Sequence, residues 1–431
     1  MRCKFLHFSD MHLGYQQYGL AQRFNDFGRA FLHIVEEAIA QRVDFVLFGG
    51  DLFQKRAIDP PTLLQAIEGL RRLKDAHIPV LAVEGNHERA HYRDVFSWTD
   101  FLADQGYLVM LTPEFEDGQP VLKPHDGVQG GYVDLAIGQG TDAGWVRIYG
   151  AKYYGASSGR VVEGLARAIE QAGCGGADYV IMIMHAGLEG VLDGYLANLS
   201  YHQIAPLRPY IDYLALGHIH KPYEREGWIY NPGSPETCSV DESAWPERGY
   251  YLVEVDSKRS PKHYARLVPT PRRAFLRHAI NVAGCANQQE LEQRTEQQLQ
   301  AAPAGHKTDR PVVEVALEGV LAFDSNQLDI RRLQAIAERL YDALLVRVVN
   351  RTVPTGYEVR TDETQPRAVL EREVLRELLE RDARYQAAAA AWADLSVNLK
   401  RMVLEGTSPA GIVEYLDQES QRLMSHADNS H

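Results

Sequence analysis

The chain has 431 residues, of which 45% are hydrophobic and 24% are charged, and its formal net charge at pH 7 is −13. This composition is typical of a folded globular protein and excludes a disordered chain, and the length predicts two or three domains. The acidic balance argues against indiscriminate binding of nucleic acid, but it leaves binding through local basic groups open.

Strand-like and helix-like periods alternate over the first part of the chain. The strand CKFLHFSD precedes a helix from Phe24, and the strand VDFVLFGGD precedes a helix after Pro60-Pro61. Later predicted strands are PVLAVEGNHE, WVRIYGAKYY, DYVIMIMHAG, IDYLALGHIH, GWIYNP and GYYLVEVD. Residues 111–145 are rich in Gly and Asp and predict a long hairpin or loop. The pattern predicts a layered α/β domain over residues 1–269.

The pattern then changes to β-α-β-α-β, which predicts a small α+β domain over residues 270–355. The stretch RTVPTGYEVRTDETQPR predicts a linker over residues 356–367. Residues 368–425 have helical periodicity, and Ser408-Pro409 is a typical start of the last helix. The apolar faces of these helices must pack on this chain or on a partner.

Polar side chains follow several predicted strands at the point where each strand ends. They are Asp10, His12, Asp51, Asn86, His87, His185, His218 and His220. Residues just beyond the carboxyl ends of parallel strands share one crevice. Taken singly, each is more simply a turn residue or a hydrogen-bonded histidine. Their occurrence together, in the same context, predicts a metal site.

The number of candidate ligands indicates two metal ions. Two carboxylates, one amide oxygen and four imidazoles are too many for one tetrahedral ion with an open position. They fit two ions about 4 Å apart, as in two-metal hydrolytic sites, with Asp51 as the bridging carboxylate. Imidazole ligands without thiolate favour Mn, Fe, Zn or Co over Mg or Ca. Such a site suits a phosphate ester, and His87 either faces the phosphate as a proton donor or has a structural role.

These motifs are recognisable as a set. In this order, D-x-H, GGD, GNHE, a histidine after an apolar strand and GHIH resemble the calcineurin-type metallophosphoesterase superfamily. Within it, FSDMHLGYQQYG, GGDLF and GNHE, with the small domain and the helical tail, resemble the SbcD / meiotic-recombination-eleven nucleases of double-strand-break repair. The resemblance implies a layered β-sandwich flanked by helices, an α+β capping domain that faces DNA, and a C-terminal helical tail.

The resemblance also implies the ligands of each ion. One ion would be held by Asp10, His12, Asp51 and His220. The other would be held by Asp51, Asn86, His185 and His218. It further implies Mn²⁺ as the metal, and His87 beside the scissile phosphate. We therefore expect 3′-5′ exonuclease activity on duplex DNA and endonuclease activity on single strands or hairpins.

The partners and the location follow from the same resemblance. It implies a homodimer, and an SbcC-like ABC-type ATPase bound to the helices of residues 368–425. No segment is long and apolar enough to cross a membrane, and the first residues read as a strand rather than a signal peptide. The four cysteines form no CxxC pair, which fits a reducing compartment. We expect a cytoplasmic, nucleoid-associated protein.

Basic residues close in sequence to the motifs are candidate DNA contacts, with a solvated surface charge as the alternative. They are Lys55, Arg56, Arg89, Arg93, Lys152 and Lys221, together with Arg272 and Arg273 near the domain boundary. Many relatives place a histidine after GGDLF, whereas this chain has Gln54 there. Because an amide does not titrate, a proton-transfer role at that position is in doubt.

Two other functions remain open. The same metal pair would serve a phosphatase or phosphodiesterase that acts on a nucleotide or another small phosphoester. The extra domain and helical tail, unnecessary for a small substrate, argue against that function. A catalytically idle scaffold that recruits the ATPase to DNA is the third possibility, but it would be expected to have lost metal ligands, and none is lost.

Overall fold

A computed structural model describes residues 1–89, 96–140, 143–192, 199–302, 310–355, 367–382, 384–404 and 407–428. Contacts between residues divide the chain into two compact units. The first is Met1–Arg277 with Gly305–Val312, and the second is His278–Ala304 with Val313–His431.

The first unit contains most of the strands. They are β1 (Arg2–Phe8), β2 (Phe45–Phe48), β3 (Val80–Ala82), β4 (Val109–Met110), β5 (Glu114–Glu116), β6 (Gln119–Val121), β7 (Tyr132–Ile137), β8 (Gly144–Ala151), β9 (Tyr179–His185), β10 (Tyr213–Gly217), β11 (Tyr223–Arg225), β12 (Ile229–Asn231), β13 (Gly249–Asp256) and β14 (His263–Pro269). Its helices are α1 (Ala21–Ala40), α2 (Pro60–Asp75), α3 (Trp98–Asp104), α4 (Ser158–Ala172) and α5 (Tyr201–Ile204).

Two six-stranded sheets form this unit, with the orders β14-β13-β1-β2-β3-β4 and β11-β12-β10-β9-β8-β7. Strands β1 to β4 pair in parallel, as do β8, β9, β10 and β12. The register places the ends of neighbouring parallel strands level, with Phe8 opposite Phe48 and His185 opposite Gly217. The loops that follow these strands therefore start at the same edge of each sheet.

The side chains of each strand alternate between two apolar layers, which explains the near-continuous hydrophobic runs of the sequence. Between the sheets, Phe45 and Leu47 of β2 pack in one cluster with Ile181 and Ile183 of β9. On the outer faces, helices α1 and α2 cover the first sheet, and α4 covers the second. The predicted layered β-sandwich flanked by helices is confirmed.

Helix α2 begins at the predicted Pro60-Pro61. The Asp59 side chain accepts a hydrogen bond from the Thr62 backbone N–H at 3.0 Å, which caps the helix. Proline suits the first turn because its missing N–H has no partner there. Residues 111–145 contain more structure than a hairpin, since β5 and β6 pair with each other while β7 pairs with β8 at the edge of the second sheet.

The second unit contains the predicted alternation of strands and helices. The elements that lie wholly or mostly in it are β15 (Phe275–Asn281), α6 (Gln288–Ala301), β16 (Val312–Leu321), α7 (Ile330–Tyr341), β17 (Leu345–Pro354), α8 (Arg367–Glu380), α9 (Ala389–Leu404) and α10 (Pro409–Asp428). The three strands form one sheet in the order β15-β16-β17. Helix α8 pairs with α9 through the Arg372–Asp394 and Lys400–Glu371 ion pairs.

The boundaries predicted at residues 269, 355 and 367 stay predictions. The predicted linker lies outside the described residues apart from its last position. Of the helices among the described residues, none combines the length and the apolar character needed to span a membrane.

The layer of helix α4 provides a test of the packing. Leu165 is fully buried in α4, whereas Leu64 in α2 is 67% exposed. We expect Leu165→Ala to lower the free energy of unfolding by about 2–5 kcal/mol, because it removes buried methyl groups and leaves a cavity. The same change at Leu64 should alter it by no more than about 0.5 kcal/mol. Urea denaturation of both variants measures the difference, and equal losses would contradict this packing.

Candidate metal centre

The predicted metal ligands lie where parallel strands of both sheets end. Asp10 and His12 follow β1, and Asp51 follows β2. Asn86 and His87 come after β3, His185 is the last residue of β9, and His218 and His220 follow β10. Asp10, His12, Asp51 and His185 are buried, while the others are partly exposed. Residues from widely separated parts of the sequence thus meet at one place, as the strand-end pattern predicts.

Two groups of donor atoms face each other there. In the first, Nε2 of His12 lies 3.0 Å from Nε2 of His220, and Oδ1 of Asp10 lies 4.0 Å from the same His220 nitrogen. In the second, Oδ1 of Asn86 lies 3.0 Å from His185 Nε2 and 2.9 Å from His218 Nδ1.

Asp51 lies between these groups. Its Oδ2 is 3.4 Å from His185 Nε2. Asp51 also forms compact sets of possible ligand atoms, all within 4.8 Å of one another, with His12 and His87 and with Asp10 and His185. This position fits a carboxylate shared by two ions.

The donor set fits divalent cations. Ring nitrogens and carboxylate or amide oxygens converge at separations typical of atoms around one ion. The predicted ligands supply nitrogen and oxygen donors, which fit a first-row transition ion, and the Cys238 sulfur also lies within 4.8 Å of ligand atoms of His12 and His220.

The backbone at these positions is strained. Asp10, His12, Asp51 and His218 have positive φ angles of 54°, 50°, 59° and 95°. Non-glycine residues seldom adopt this region, and they keep it only where surrounding contacts enforce it. The loops after β1 and β2 hold each other: Asp10 N–H donates to the Gly50 carbonyl at 2.9 Å, and His12 N–H to the Asp51 carbonyl at 3.1 Å.

Two glycines leave room for the ligands. A Cβ atom on Gly50 would lie 2.5 Å from His185 Nδ1, and Gly50 has a φ of +96°. A Cβ atom on Gly85 would lie 2.0 Å from Asp51 Oδ1. The glycine that precedes Asp51 and the one that precedes Asn86 are therefore required by close approach of ligand side chains.

Burial and mutual charge set the ionisation of the ligands. Burial, with the neighbouring His220 charge, lowers the pKa of His12 to about 3. Burial opposes ionisation of Asp51, but the nearby His185 outweighs it and lowers the pKa of that carboxyl. Burial acts against the His185 cation too, yet Asp51 raises the pKa of His185 to about 9. Asp51 is thus held as a carboxylate and His12 as a neutral imidazole, the forms that bind metal, whereas His185 would release a proton when it binds an ion.

His87 is fixed at the side of this cluster. Its backbone N–H donates to Asp51 Oδ1 at 2.9 Å, and its ring lies 4.8 Å from the His12 ring. The Gln54 carbonyl accepts from Nδ1 at 2.8 Å, so Nδ1 carries the hydrogen and this contact does not use Nε2. Gln54 therefore acts through its backbone, and its side chain is not needed for this contact.

Glu88, the last residue of GNHE, is a functional residue that the sequence analysis missed. It is 3% exposed, and its carboxylate accepts backbone N–H groups from Asp51 at 3.1 Å, Phe53 at 3.1 Å and Gly85 at 3.0 Å, and from Leu52. Burial and the charge of Asp51 raise its pKa to about 8. Glu88 ties the loop after β2 to the loop after β3, and its place in the motif was the available signal.

Two further residues approach the ligands, and the sequence analysis singled out neither of them. The Tyr153 ring lies 5.1 Å from the ring of His218 and 5.9 Å from that of His185. Glu242, in the short 3₁₀ helix Val240–Ala244, lies 2.8 Å from Nδ1 of His220. Tyr153 follows the carboxyl end of β8, which pairs in parallel with β9, so the strand-end pattern was an available signal for it. Glu242 comes from a segment that does not end a parallel strand.

The candidate DNA contacts differ in their surroundings. Lys55, Arg56 and Arg89 are exposed beside the site loops. Lys152 pairs with Glu84 at 3.3 Å, and Lys221 donates to the Val191 carbonyl at 3.4 Å.

Of the remaining candidates, Arg272 and Arg273 make contacts within the protein, and Arg93 lies outside the described residues. The Arg273 side chain is only 7% exposed and pairs with Asp26 at 2.7 Å, an arrangement that does not favour the expected DNA contact, which stays a prediction. Arg272 donates to the Pro246 carbonyl at 2.6 Å.

Comparison with known proteins assigns the fold and the site to a family. The model of the calcineurin-like phosphoesterase family matches residues 3–222, just over half of the chain, and this range includes every predicted metal ligand. The chain belongs to the calcineurin-like phosphoesterase family. This family implies divalent metal ions, which agrees with the donor set around Asp51.

Several curated relatives of this phosphoesterase share one name, DNA double-strand break repair protein Mre11. The protein of Archaeoglobus fulgidus is 33% identical over 248 residues, which is 56% of this chain and 52% of that protein. The protein of Aeropyrum pernix is 28% identical over 283 residues, which is 59% of this chain and 63% of that protein. The matches thus span roughly half to two thirds of these relatives' own length.

The role of Glu88 in the phosphoesterase site is testable. Glu88→Gln replaces an acceptor of several N–H bonds by an amide whose NH₂ group cannot accept, so the loop that carries Asp51 should shift. We expect divalent metal affinity to fall by about 10–100-fold, as for other groups that orient metal ligands. Titration calorimetry with MnCl₂ measures this, and Glu36→Gln, at an exposed carboxylate, is the matched control. Unchanged affinity in a folded Glu88→Gln variant would contradict the role.

Proposed function

We propose that this chain is a Mn²⁺-dependent DNA nuclease of double-strand-break repair, with 3′-5′ exonuclease activity on duplexes and endonuclease activity on single strands or hairpins. The observation that carries the proposal is the convergence of the seven candidate ligands at the strand ends, with His87 beside them. The relatives named as DNA double-strand break repair proteins support DNA as the substrate.

The proposed ligand sets divide the site between two ions. The first would be held by Asp10, His12, Asp51 and His220, and the second by Asp51, Asn86, His185 and His218. When bound, such a pair supplies a nucleophile from water at neutral pH and neutralises charge on the phosphate. The positive-φ loops and the close-fitting glycines hold these side chains in place before substrate binds.

His87 would act on the leaving group. Its Nδ1–H is occupied by the Gln54 carbonyl, so Nε2 is the atom available to the scissile phosphate. A proton on Nε2 would pass to the departing sugar oxygen, or would stabilise charge on the phosphate as the bond breaks. The bond from the His87 N–H to Asp51 keeps the ring at a fixed position relative to the metal ligands.

The features outside the metal pocket favour DNA over a small phosphoester. Lys55, Arg56 and Arg89 are exposed on the loops that carry Asp51 and His87, and these cations would contact phosphates on either side of the cleaved one. Lys152 and Lys221 are further candidates for such contacts. A local basic group is compatible with the net charge of −13, because affinity depends on where the cations lie.

The helical tail is the proposed docking site of an SbcC-like ABC-type ATPase. Helices α9 and α10 expose large apolar side chains, with Val403 60% and Val413 56% exposed. Exposed apolar side chains grouped on neighbouring helices are typical of a protein-binding surface. We further propose that the chain works as a homodimer in the nucleoid-containing cytoplasm, and that residues 270–355 face DNA.

The nuclease function predicts a specific effect at His87. Purified wild-type protein with MnCl₂ should shorten end-labelled linear duplexes and nick labelled hairpins, and chelation should stop both reactions. His87→Ser should lower the cleavage rate by about 10²–10⁴-fold, the usual contribution of a positioned acid or base. Calorimetry should still detect two bound metal ions, because His87 is absent from both proposed ligand sets.

The matched control is His202→Ser, at an exposed histidine in α5, which should cleave at the wild-type rate. Loss of metal from His87→Ser would show that His87 is a ligand and would contradict the division of roles. Activity confined to mononucleotide esters would instead favour the small-phosphoester function, and metal binding without any hydrolysis would favour a scaffold.

The tail surface predicts a separable loss of binding. Val403→Glu and Val413→Glu place charges on the exposed apolar surface of α9 and α10, so each should weaken co-purification of the ATPase while Mn²⁺-dependent cleavage by the chain alone is retained. Val128→Glu, at an exposed valine of the first unit, is the matched control. If the tail variants retained the ATPase as well as the control did, the docking site would lie elsewhere.

A further inference from the structure

His220 has an anionic side chain behind its ring. Oε1 of Glu242 lies 2.8 Å from Nδ1 of His220, while Nε2 of the same ring faces Nε2 of His12 at 3.0 Å. One nitrogen is therefore directed toward a carboxylate, and the other toward the proposed metal pocket. By contrast, the acceptor behind the His185 ring is the neutral Gly49 carbonyl, at 2.7 Å from Nδ1.

Glu242 itself is held from the opposite side by hydrogen-bond donors. Its Oε2 accepts from Arg248 Nη1 at 2.6 Å and from the Cys238 backbone N–H at 2.9 Å. Arg248 is fully buried and Glu242 is 6% exposed. Arg248 is in turn fixed by a bond to the Glu236 carbonyl at 3.0 Å. The carboxylate thus has a single orientation, with one oxygen left for His220.

We infer that Glu242 is a positioning residue that selects the tautomer of His220 with hydrogen on Nδ1, so that the lone pair of Nε2 points at the first metal ion. This inference rests on the proposed metal centre for the role of His220. A carboxylate that is already bonded to two donors accepts hydrogen from the ring and has none to give. The orientation of a ligand imidazole is commonly fixed through its second nitrogen in this way.

Replacement by glutamine should reverse the tautomer. In Glu242→Gln the amide oxygen should face the two donors, Arg248 Nη1 and Cys238 N–H, because an NH₂ group there would oppose them. The NH₂ group then faces His220 and requires Nδ1 as an acceptor, which moves the ring hydrogen to Nε2. The same change beside a catalytic histidine is known to give the wrong tautomer with the geometry intact. Glu242→Ala removes the partner and leaves both tautomers accessible.

The direct test is the ring nitrogen spectrum of histidine. Protein labelled with ¹⁵N-histidine is examined by NMR without metal, in buffer alkaline enough for His220 to be neutral. The signals of His220 are those that disappear from the spectrum of the His220→Gln variant. We expect hydrogen on Nδ1 in the wild type, on Nε2 in Glu242→Gln, and a mixture in Glu242→Ala. Glu254→Gln, at a carboxylate 63% exposed, is the matched control and should give the wild-type spectrum.

Metal binding gives the second measurement. Titration with MnCl₂ should show one of the two sites weakened by about 10–100-fold in Glu242→Gln, with the other unchanged. Glu242→Ala should lose less Mn²⁺ affinity than Glu242→Gln. A purely structural role of Glu242 predicts instead that the alanine variant loses at least as much affinity as the glutamine variant. Circular dichroism establishes that the variants are folded.

Three results would overturn the inference: hydrogen on Nε2 of His220 in the wild type, an unchanged tautomer in Glu242→Gln, or equal weakening of both metal sites. The wild-type spectrum requires no variant, so misfolding of a variant does not prevent the test. The spectrum is recorded on a sample that contains neither DNA nor metal. A wrong tautomer with intact Mn²⁺-dependent cleavage would thus reject this inference alone, and the expected tautomer without DNA cleavage would reject the nuclease proposal alone.

Discussion

The placement of acids and imidazoles together, buried at the ends of parallel strands, is the constraint on which the rest of the structure depends. Asp51 and His185 are 2% and 1% exposed and lie 3.4 Å apart. A single buried charge costs several kcal/mol unless an opposite charge or hydrogen bonds compensate it. The opposite charges of these two side chains therefore stabilise each other, and the loops that carry them cannot relax independently.

That constraint explains why the backbone tolerates strain at the ligands. Asp10 and Asp51 lie in the left-handed region, where each residue costs of order 1–3 kcal/mol. The bond from the Asp10 N–H to the Gly50 carbonyl joins the two strained loops. Relaxation of one would break bonds made by the other, so the strain is retained.

Carboxylates outside the pocket stabilise this arrangement in a second way. Glu88 gathers backbone N–H groups from two loops, and Glu242 accepts from Arg248, Cys238 and His220. Neither is in the predicted ligand sets. The two histidines differ in the group behind the ring: the Glu242 carboxylate lies behind His220, whereas the neutral Gly49 carbonyl lies behind His185.

The residues that sequence reasoning could predict are those whose function follows from position on a strand. Asp51 and His185 directly follow or end apolar runs, and the level ends of parallel strands bring them together. Tyr153 lies just beyond the end of β8, where the strand-end pattern could have indicated it. Glu242 comes from a short helix with no periodic pattern, so only the tertiary fold reveals its contact with His220. Arg273 shows the same limit for charges, because its partner, Asp26, is 247 residues away in sequence.

Substrate choice cannot come from the metal pocket, because ions and their ligands recognise phosphate and not what is attached to it. His87 would not discriminate between substrates either, since Nε2 would contact the leaving oxygen of any phosphoester. Discrimination must therefore depend on groups that reach beyond one phosphate. Lys55, Arg56 and Arg89 are the groups proposed for this role: they are exposed, and they lie on the same loops as Asp51 and His87. A polymer that presents phosphates on both sides of the cleaved bond would use these contacts, whereas a mononucleotide would leave most of them empty.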